Sequence, residues 1–156
     1  MRPVLQAMLL AEKVFTDERT KQKIIVGTFD TIFFRRPGAK GVAEIDVSEN
    51  PEEKRKISML PGVSAGDPYV YINLTEIHTS CDLELRYVNL KDNSVLIQVK
   101  IRVESPSPLA TAEIDLPLAL SRYSTEEGVF SLELLHGDEP LGSLRITVRE
   151  AKGKNE

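Results

Sequence analysis

The chain has 156 residues, of which 41% are hydrophobic and only 6% aromatic, and it contains no tryptophan. That length suits one domain, whose core would be built mainly from Val, Ile and Leu. The net charge is −4 and the two signs are interspersed. This argues against the usual basic nucleic-acid-binding surface, so we expect no nucleic-acid partner.

The chain has a single cysteine, Cys81, which excludes an intrachain disulfide. The apolar run near the N-terminus is short, is interrupted by Gln6 and lacks a cleavage-site pattern. It predicts neither a signal peptide nor a membrane span, so we expect a cytoplasmic protein with no membrane partner. Residues 151–156 are polar and are predicted to form a tail after one domain of residues 1–150.

Two apolar stretches, residues 4–15 and 23–34, open the chain on either side of a polar turn. Neither alternates cleanly, because Met8-Leu9-Leu10-Ala11 and Ile24-Ile25-Val26 place apolar groups on both faces of a strand. Such strands are buried on both sides or carry a face that a partner covers. An amphipathic helix is the rival interpretation of residues 4–15. Gly27 predicts a bulge or a close backbone approach.

Residues 35–68 hold four prolines and four glycines and are predicted to form one long irregular connection. Two pieces of it have patterns of their own. Residues 42–47 alternate, which is typical of a short edge strand. Asn50-Pro51-Glu52-Glu53 has the N-cap, first-turn proline and capping acid of a short helix that would end near Leu60.

Clean alternation begins after residue 68. Strands are predicted over residues 69–74, 83–88, 95–103 and 111–116, and a hairpin over 128–135 and 141–148. In the hairpin Phe130, Leu132 and Leu134 face inward, and the five residues between its strands include Gly137. The strand at 95–103 is predicted to turn five side chains inward: Val95, Ile97, Val99, Ile101 and Val103.

About eight short strands, with turns roughly every ten residues, predict an all-β protein with two packed antiparallel sheets. The 10–15-residue helical patterns that a βαβ fold needs are missing from the sequence. A β-sandwich is therefore favoured over a barrel or a mixed fold.

Both ends of the chain resemble a bacterial family of uncharacterised proteins. The opening resemblance lies in Met8-Leu9-Leu10-Ala11-Glu12-Lys13-Val14 and Gly27-Thr28-Phe29-Asp30-Thr31-Ile32. The closing one lies in Gly128-Val129-Phe130-Ser131-Leu132-Glu133-Leu134 and Asp138-Glu139-Pro140-Leu141-Gly142. The resemblance implies an immunoglobulin-like sandwich and supplies no catalytic residues. Residues 35–66 depart from it, because this chain is longer there.

Catalytic and metal-binding signatures are weak. His78 and His136 are the only histidines, and neither has the neighbouring ligands that a zinc site needs. Cys81 reads as a small, half-buried side chain and Asp30 as a turn residue. No Walker loop, nucleophile elbow or His-Glu-x-x-His helix occurs. We therefore expect no catalytic residues, no metal and no cofactor.

Two groups of residues are candidates for binding. Tyr69 and Tyr71 project from one face of a predicted strand, and tyrosine suits interfaces. Arg35 and Arg36, with further basic residues at Lys40 and Lys54-Arg55-Lys56, lie in the long connection and suit an acidic partner or a phosphate.

The sequence does not specify a function. The leading hypothesis is a non-enzymatic protein-binding or structural module, which contacts a protein partner or a second copy through the first two strands, at Met8 and Leu10, or through the long connection. One alternative is a small-ligand or carbohydrate binder that uses the tyrosines. The other is an enzyme that uses Asp30 and His78.

Overall fold

The computed structural model describes residues 2–34, 63–64, 68–124 and 126–150. These residues form ten strands and one short helix. The strands are β1 Val4–Thr16, β2 Lys23–Phe29, β3 Thr31–Phe34, β4 Val63–Ser64, β5 Tyr69–Thr75, β6 Ser80–Asn89, β7 Ser94–Glu104, β8 Ala112–Pro117, β9 Gly128–His136 and β10 Glu139–Glu150. The helix, α1, is Leu120–Tyr123. Because β1 covers residues 4–15, the rival helix there is wrong.

The strands form two sheets. The four-stranded sheet has the order β2-β1-β5-β8, and the six-stranded sheet has the order β4-β3-β10-β9-β6-β7. Neighbours are antiparallel, except that β3 runs parallel to β10 and to β4. The chain changes sheets at Asp30, between β2 and β3, and the Asp30 carbonyl accepts a hydrogen bond from the Thr147 amide at 2.9 Å. The predicted second strand, residues 23–34, is therefore divided between the two sheets.

The strand order is that of an immunoglobulin-like sandwich. β1, β5 and β8 take the positions of strands A, B and E, while β6, β9 and β10 take those of C, F and G. β7 lies beside β6, where variable-type domains carry an additional strand. The predicted all-β, immunoglobulin-like sandwich is confirmed, with ten strands among the described residues instead of about eight.

An aromatic pair lies in the core on β6 and β9, which take the positions of the strands that carry the buried tryptophan and one disulfide cysteine in immunoglobulin domains. Tyr87 of β6 stacks on Phe130 of β9 with ring centroids 5.2 Å apart. The Tyr87 hydroxyl lies 2.8 Å from Ser124 Oγ, which itself donates to the Leu120 carbonyl. Tyr87 therefore donates to Ser124 and ties the core to α1. Burial raises the pKa of Tyr87 to about 12.

The hairpin of β9 and β10 has the predicted faces. Phe130, Leu132 and Leu134 are buried, as predicted. The turn is shorter than the predicted five residues, because β9 continues to His136 and β10 begins at Glu139. Gly137 in the resulting two-residue turn has a φ of 61°, which glycine adopts without steric cost.

The predicted inward face of β7 is wrong at one end. The pairing of β6 with β7 shifts register between Tyr87 and Val88, so one extra residue in β7 reverses the alternation. Val95 therefore faces outward and is 47% exposed. Ile97, Val99 and Ile101 pack against the core but are only partly buried, because β7 is an edge strand.

Several predictions concern residues that the structure does not describe. The edge strand at 42–47, the helix at 50–60 and the tail at 151–156 lie outside the described residues. Within the described residues, β4 and α1 are elements that the sequence patterns did not predict. Each is four residues or shorter, which is too short for a periodic pattern to be recognised.

Candidate protein-binding surface

The hairpin of β1 and β2 extends beyond the end of the neighbouring strand β5. β1 pairs with β5 over residues 4–11 and with β2 over residues 10–16. Beyond Ala11, β1 has β2 as its one strand partner among the described residues. We name residues 12–27 the distal hairpin.

An ion pair indicates that the distal hairpin bends back over its own sheet. Lys23 Nζ lies 2.7 Å from Asp115 Oδ1 in β8 and 2.8 Å from Thr16 Oγ1. β2 and β8 are opposite edges of the sheet, about 14 Å apart if the sheet were flat. Lys23 also pairs with Thr16, five residues past the end of the β1–β5 pairing at Ala11. A flat hairpin could not bring these groups into contact, so the hairpin curves towards β8.

Gly27 lies at the base of the distal hairpin. Its φ is 70°, and a Cβ atom there would lie 3.1 Å from Cγ of Glu12. The register of β1 with β2 runs past Gly27 without a shift. The close neighbour of Gly27 is therefore the Glu12 side chain and not another backbone, and the unbroken register gives no sign of the predicted bulge.

The turn at the tip of the hairpin is closed by Asp17. Its Oδ1 accepts hydrogen bonds from the amides of Arg19 and Thr20, and its own amide donates to the Gln22 carbonyl at 2.8 Å. Lys21 adopts a φ of 61° and donates its amide to the Asp17 carbonyl. These bonds fix the turn and hence the register of the two strands beyond Ala11.

Three large apolar side chains are exposed together on the distal hairpin. Phe15 pairs with Ile24, and Lys13 pairs with Val26, so these four side chains share one face. The exposed fractions are 51% for Phe15, 48% for Ile24 and 44% for Val26. We name Phe15, Ile24 and Val26 the apolar strip. Lys13 beside it is exposed and forms no ion pair with any described residue.

The contact residues expected from the sequence lie elsewhere. Leu10 is fully buried, and Met8 packs against the core, so the face that carries them is the inside of the sandwich. Ala11, on the other face, is also fully buried. The expected burial on both sides therefore holds for this part of β1. The sequence could have identified the exposed residues only through the strand register. The turn at residues 17–22 pairs Phe15 with Ile24, and their side chains lie on the face of the hairpin opposite to that of Leu10.

The β7 edge of the six-stranded sheet carries paired charges on its outer face, where the distal hairpin exposes apolar side chains. Outward-facing residues of β7 and β6 form charged pairs, such as Arg102 with Asp82 at 3.3 Å. Glu84 bonds Arg86 and Gln98, and the hydrogen bond from Arg86 is the main cause that lowers the pKa of Glu84. Charged side chains of this kind keep an edge strand from pairing with another chain.

The two tyrosines predicted to bind a ligand lie in β5 but are not freely exposed. Tyr71 is 6% exposed and its hydroxyl donates to Glu113 of β8. Burial, with Glu113 as the second cause, raises the pKa of Tyr71. Tyr69 is half-buried, and Asn73 Nδ2 donates to the Tyr71 hydroxyl at 3.3 Å. Asn73 Oδ1 is buried and has no hydrogen-bond partner among the described residues. Ligand binding at these tyrosines stays a prediction.

The basic candidates cannot be placed on this surface. Arg35 and Arg36 lie outside the described residues, as do Lys40 and the run Lys54-Arg55-Lys56. Their predicted role towards an acidic partner stays a prediction.

The pair proposed for an enzyme does not come together. Asp30 is exposed and bonds to Thr147, eight residues or about 26 Å along β10 from Glu139. His78 lies just before β6, at the end where Leu83 pairs with His136. The two residues are therefore at opposite ends of the sandwich, far beyond hydrogen-bond reach.

The other reactive side chains have ordinary surroundings. Burial is the main cause that raises the pKa of the half-buried Cys81 thiol, which is the opposite of activation. Within residues 2–34, 68–124 and 126–150, no three His, Cys, Asp or Glu side chains cluster as metal ligands would. The described part of the chain also has no helix with the length and apolar character to cross a membrane.

Comparison with known proteins gives a likeness of fold. No family model and no curated protein matches the chain. Among solved structures, an immunoglobulin-like protein from Pseudomonas aeruginosa aligns over 96% of this chain and 98% of its own, with 9% identity and a TM-score of 0.41. At that distance the likeness carries no argument about activity or partners.

Proposed function

We propose that this protein is a non-enzymatic binding module that contacts another protein chain through the apolar strip of its distal hairpin. The observation that carries the proposal is the exposure of Phe15, Ile24 and Val26, each about half exposed, on one face of a paired and closed hairpin. Apolar side chains that are grouped on one surface, and not scattered singly, are candidates for an interaction site.

The surroundings of the strip support this proposal. The hairpin that carries it is held at the tip by Asp17 and across the sheet by the Lys23–Asp115 pair. A partner would therefore meet a surface that is already formed, which lowers the entropic cost of binding. A mobile tail with the same residues would not have this advantage.

Site-directed photo-crosslinking in the cells that make the protein tests the proposal. A photoreactive amino acid replaces Ile24 in one variant and, as the matched control, the exposed Ser143 of β10 in another. We expect a discrete adduct from position 24 and none from position 143. Phe15→Asp together with Val26→Asp should abolish the adduct while the circular dichroism spectrum stays the same.

Two results would count against the proposal. One is the absence of any adduct from position 24. The other is an adduct that persists in the folded double variant, because the contact would then not depend on the apolar strip.

A further inference from the structure

The free edge of β2 adds a second feature to the apolar strip. β2 is the last strand of the four-stranded sheet, and no described strand pairs with its outer edge. β4 comes close to β2 but pairs with β3. Within the described part of the chain, the backbone amides and carbonyls on that edge therefore have no strand partner.

The sequence of this edge strand carries few of the residues that usually protect an edge. Edge strands are commonly guarded by a lysine or proline, and the sequence of β2, Lys-Ile-Ile-Val-Gly-Thr-Phe, has one lysine and no proline. That lysine, Lys23, is turned away to Thr16 and Asp115. The segment combines high β-propensity with little charge, which makes an uncovered edge prone to pairing.

The area of the apolar strip favours an added strand over a second copy of the folded chain as its occupant. Three side chains that are each about half exposed offer on the order of 250 Å² of apolar surface, against about 800 Å² per partner in a standard stable interface. A second copy of the folded chain would need much more surface than the strip supplies. An added strand needs less, because main-chain hydrogen bonds supply affinity and alternate side chains supply specificity.

Charge narrows the chemistry of the occupant. Lys13 lies on the same face as the strip, opposite Val26, and it has no ion-pair partner among the described residues. Gly27, with its positive φ, limits the regular part of the edge to Lys23–Val26. A short segment with apolar side chains at alternate positions and a carboxylate near Lys13 would match both features.

We infer that the occupant is a short extended segment of another protein, which adds to the free edge of β2 as a further strand and packs its side chains against Ile24 and Val26 of the apolar strip. This inference rests on the proposed function and names the kind of partner. It places the segment's apolar side chains beside Ile24 and Val26. Its acidic residue lies next to Val26 on the same face, towards which the long side chain of Lys13 extends across β2.

An NMR titration of the 15N-labelled protein tests the inference. The probe is the blocked peptide Glu-Thr-Val-Thr-Val-Thr-Glu, whose valines and glutamates lie on one face of an extended strand. The control peptide has proline in place of the central threonine, which removes a main-chain donor. We expect shifts confined to residues 13–15 and 23–26 with the first peptide and none with the second. Ile24→Lys should weaken binding about tenfold or more, while Val95→Lys, on edge strand β7 of the other sheet, should leave binding unchanged.

A charge reversal keeps the test decisive if Ile24→Lys fails to fold. Lys13→Glu changes an exposed side chain. It should weaken the binding of the acidic peptide and strengthen the binding of a version with terminal lysines. If none of the peptides changed the NMR chemical shifts, the inference of an extended segment would be overturned. Shifts of the strip that grow with protein concentration, without peptide, would instead identify a second copy as the occupant. In both cases an adduct from position 24 would leave the proposed function standing.

Discussion

The two hairpins at the ends of this chain are built from similar residues and do different things. The C-terminal hairpin, β9 with β10, has strands on both sides in the larger sheet, and its large side chains Phe130, Leu132 and Leu134 are buried. The N-terminal hairpin, β1 with β2, ends a sheet and leaves Phe15, Ile24 and Val26 about half exposed. An apolar residue in a strand thus indicates the core only when both the register and the neighbouring strands are known.

The largest expected effect separates the two hairpins by stability. Phe130→Ala removes half of the central aromatic stack and should cost about 3–5 kcal/mol of unfolding free energy. Phe15→Ala removes a side chain that is already half exposed and should cost about 1 kcal/mol. Urea unfolding of both variants checks this, and equal losses would mean that the apolar strip belongs to the core.

Alkaline unfolding should report on the buried Tyr87. Its folded pKa of about 12 lies above the ordinary 10.0, so the folded state keeps a proton that the unfolded state loses. The corresponding stability is complete below pH 10 and is lost as the pH rises to 12, by about 2–3 kcal/mol. Tyr87→Phe should remove this part of the pH dependence.

The matched control for Tyr87 is Tyr123→Phe, because Tyr123 in α1 is about half exposed whereas Tyr87 is fully buried. Its profile of unfolding free energy against pH should follow that of the wild-type protein. If Tyr87→Phe retained the full loss between pH 10 and 12, other groups would be responsible for it.

Gly27 in the N-terminal hairpin and Gly137 in the C-terminal hairpin have similar positive φ values, 70° and 61°, and can be compared directly. Gly137→Ala meets no atom within 4 Å and should cost about 1–2 kcal/mol for the left-handed backbone alone. Gly27→Ala should cost more, because its Cβ would also meet Glu12 Cγ at 3.1 Å.

Thermal unfolding of the double variant Gly27→Ala with Glu12→Ala separates backbone strain from this contact. The double-mutant cycle should show that removing the Glu12 side chain recovers the extra cost. If no coupling appears, the difference between the two glycines lies in the backbone and not in the approach of Glu12.

The smallest expected effect concerns the ion pair that holds the distal hairpin. Asp115→Asn should cost no more than about 1 kcal/mol, because partly exposed pairs contribute little. Hydrogen exchange should nevertheless accelerate at residues 13–16 and 23–26 and stay unchanged in β9. A uniform acceleration would show that Asp115 supports the whole sandwich and not the hairpin.

The sequence predicted the fold well where strands alternate cleanly. In β9, Phe130 and Leu132 fall on one face, and the position of the hairpin follows from that pattern. It predicted β7 less well, because a register shift near Leu96 reverses the alternation at Val95 and a bulge leaves no mark in hydrophobic periodicity. It joined β2 to β3, because the change of sheet at Asp30 takes a single residue.

The candidate site was only partly predictable. Apolar residues on both faces of the first two strands indicated that some apolar side chains could be exposed, and the distal hairpin exposes Phe15, Ile24 and Val26. The sequence alone could not identify which of these residues are exposed, because Leu10 and Phe15 are both apolar and differ only in the face of β1 on which they lie. The bend that joins Lys23 to Asp115 is a contact between residues 92 positions apart, which no local pattern encodes.

The account depends most on the claim that the apolar strip faces a different protein in an extended form, and not a second copy of this chain. Light scattering over a wide range of concentrations tests that claim directly. We expect the mass of one 17.4 kDa chain throughout, because the strip is too small for a stable dimer. A dimer that Val26→Lys disperses would contradict the account and make the free edge of β2 a self-association surface.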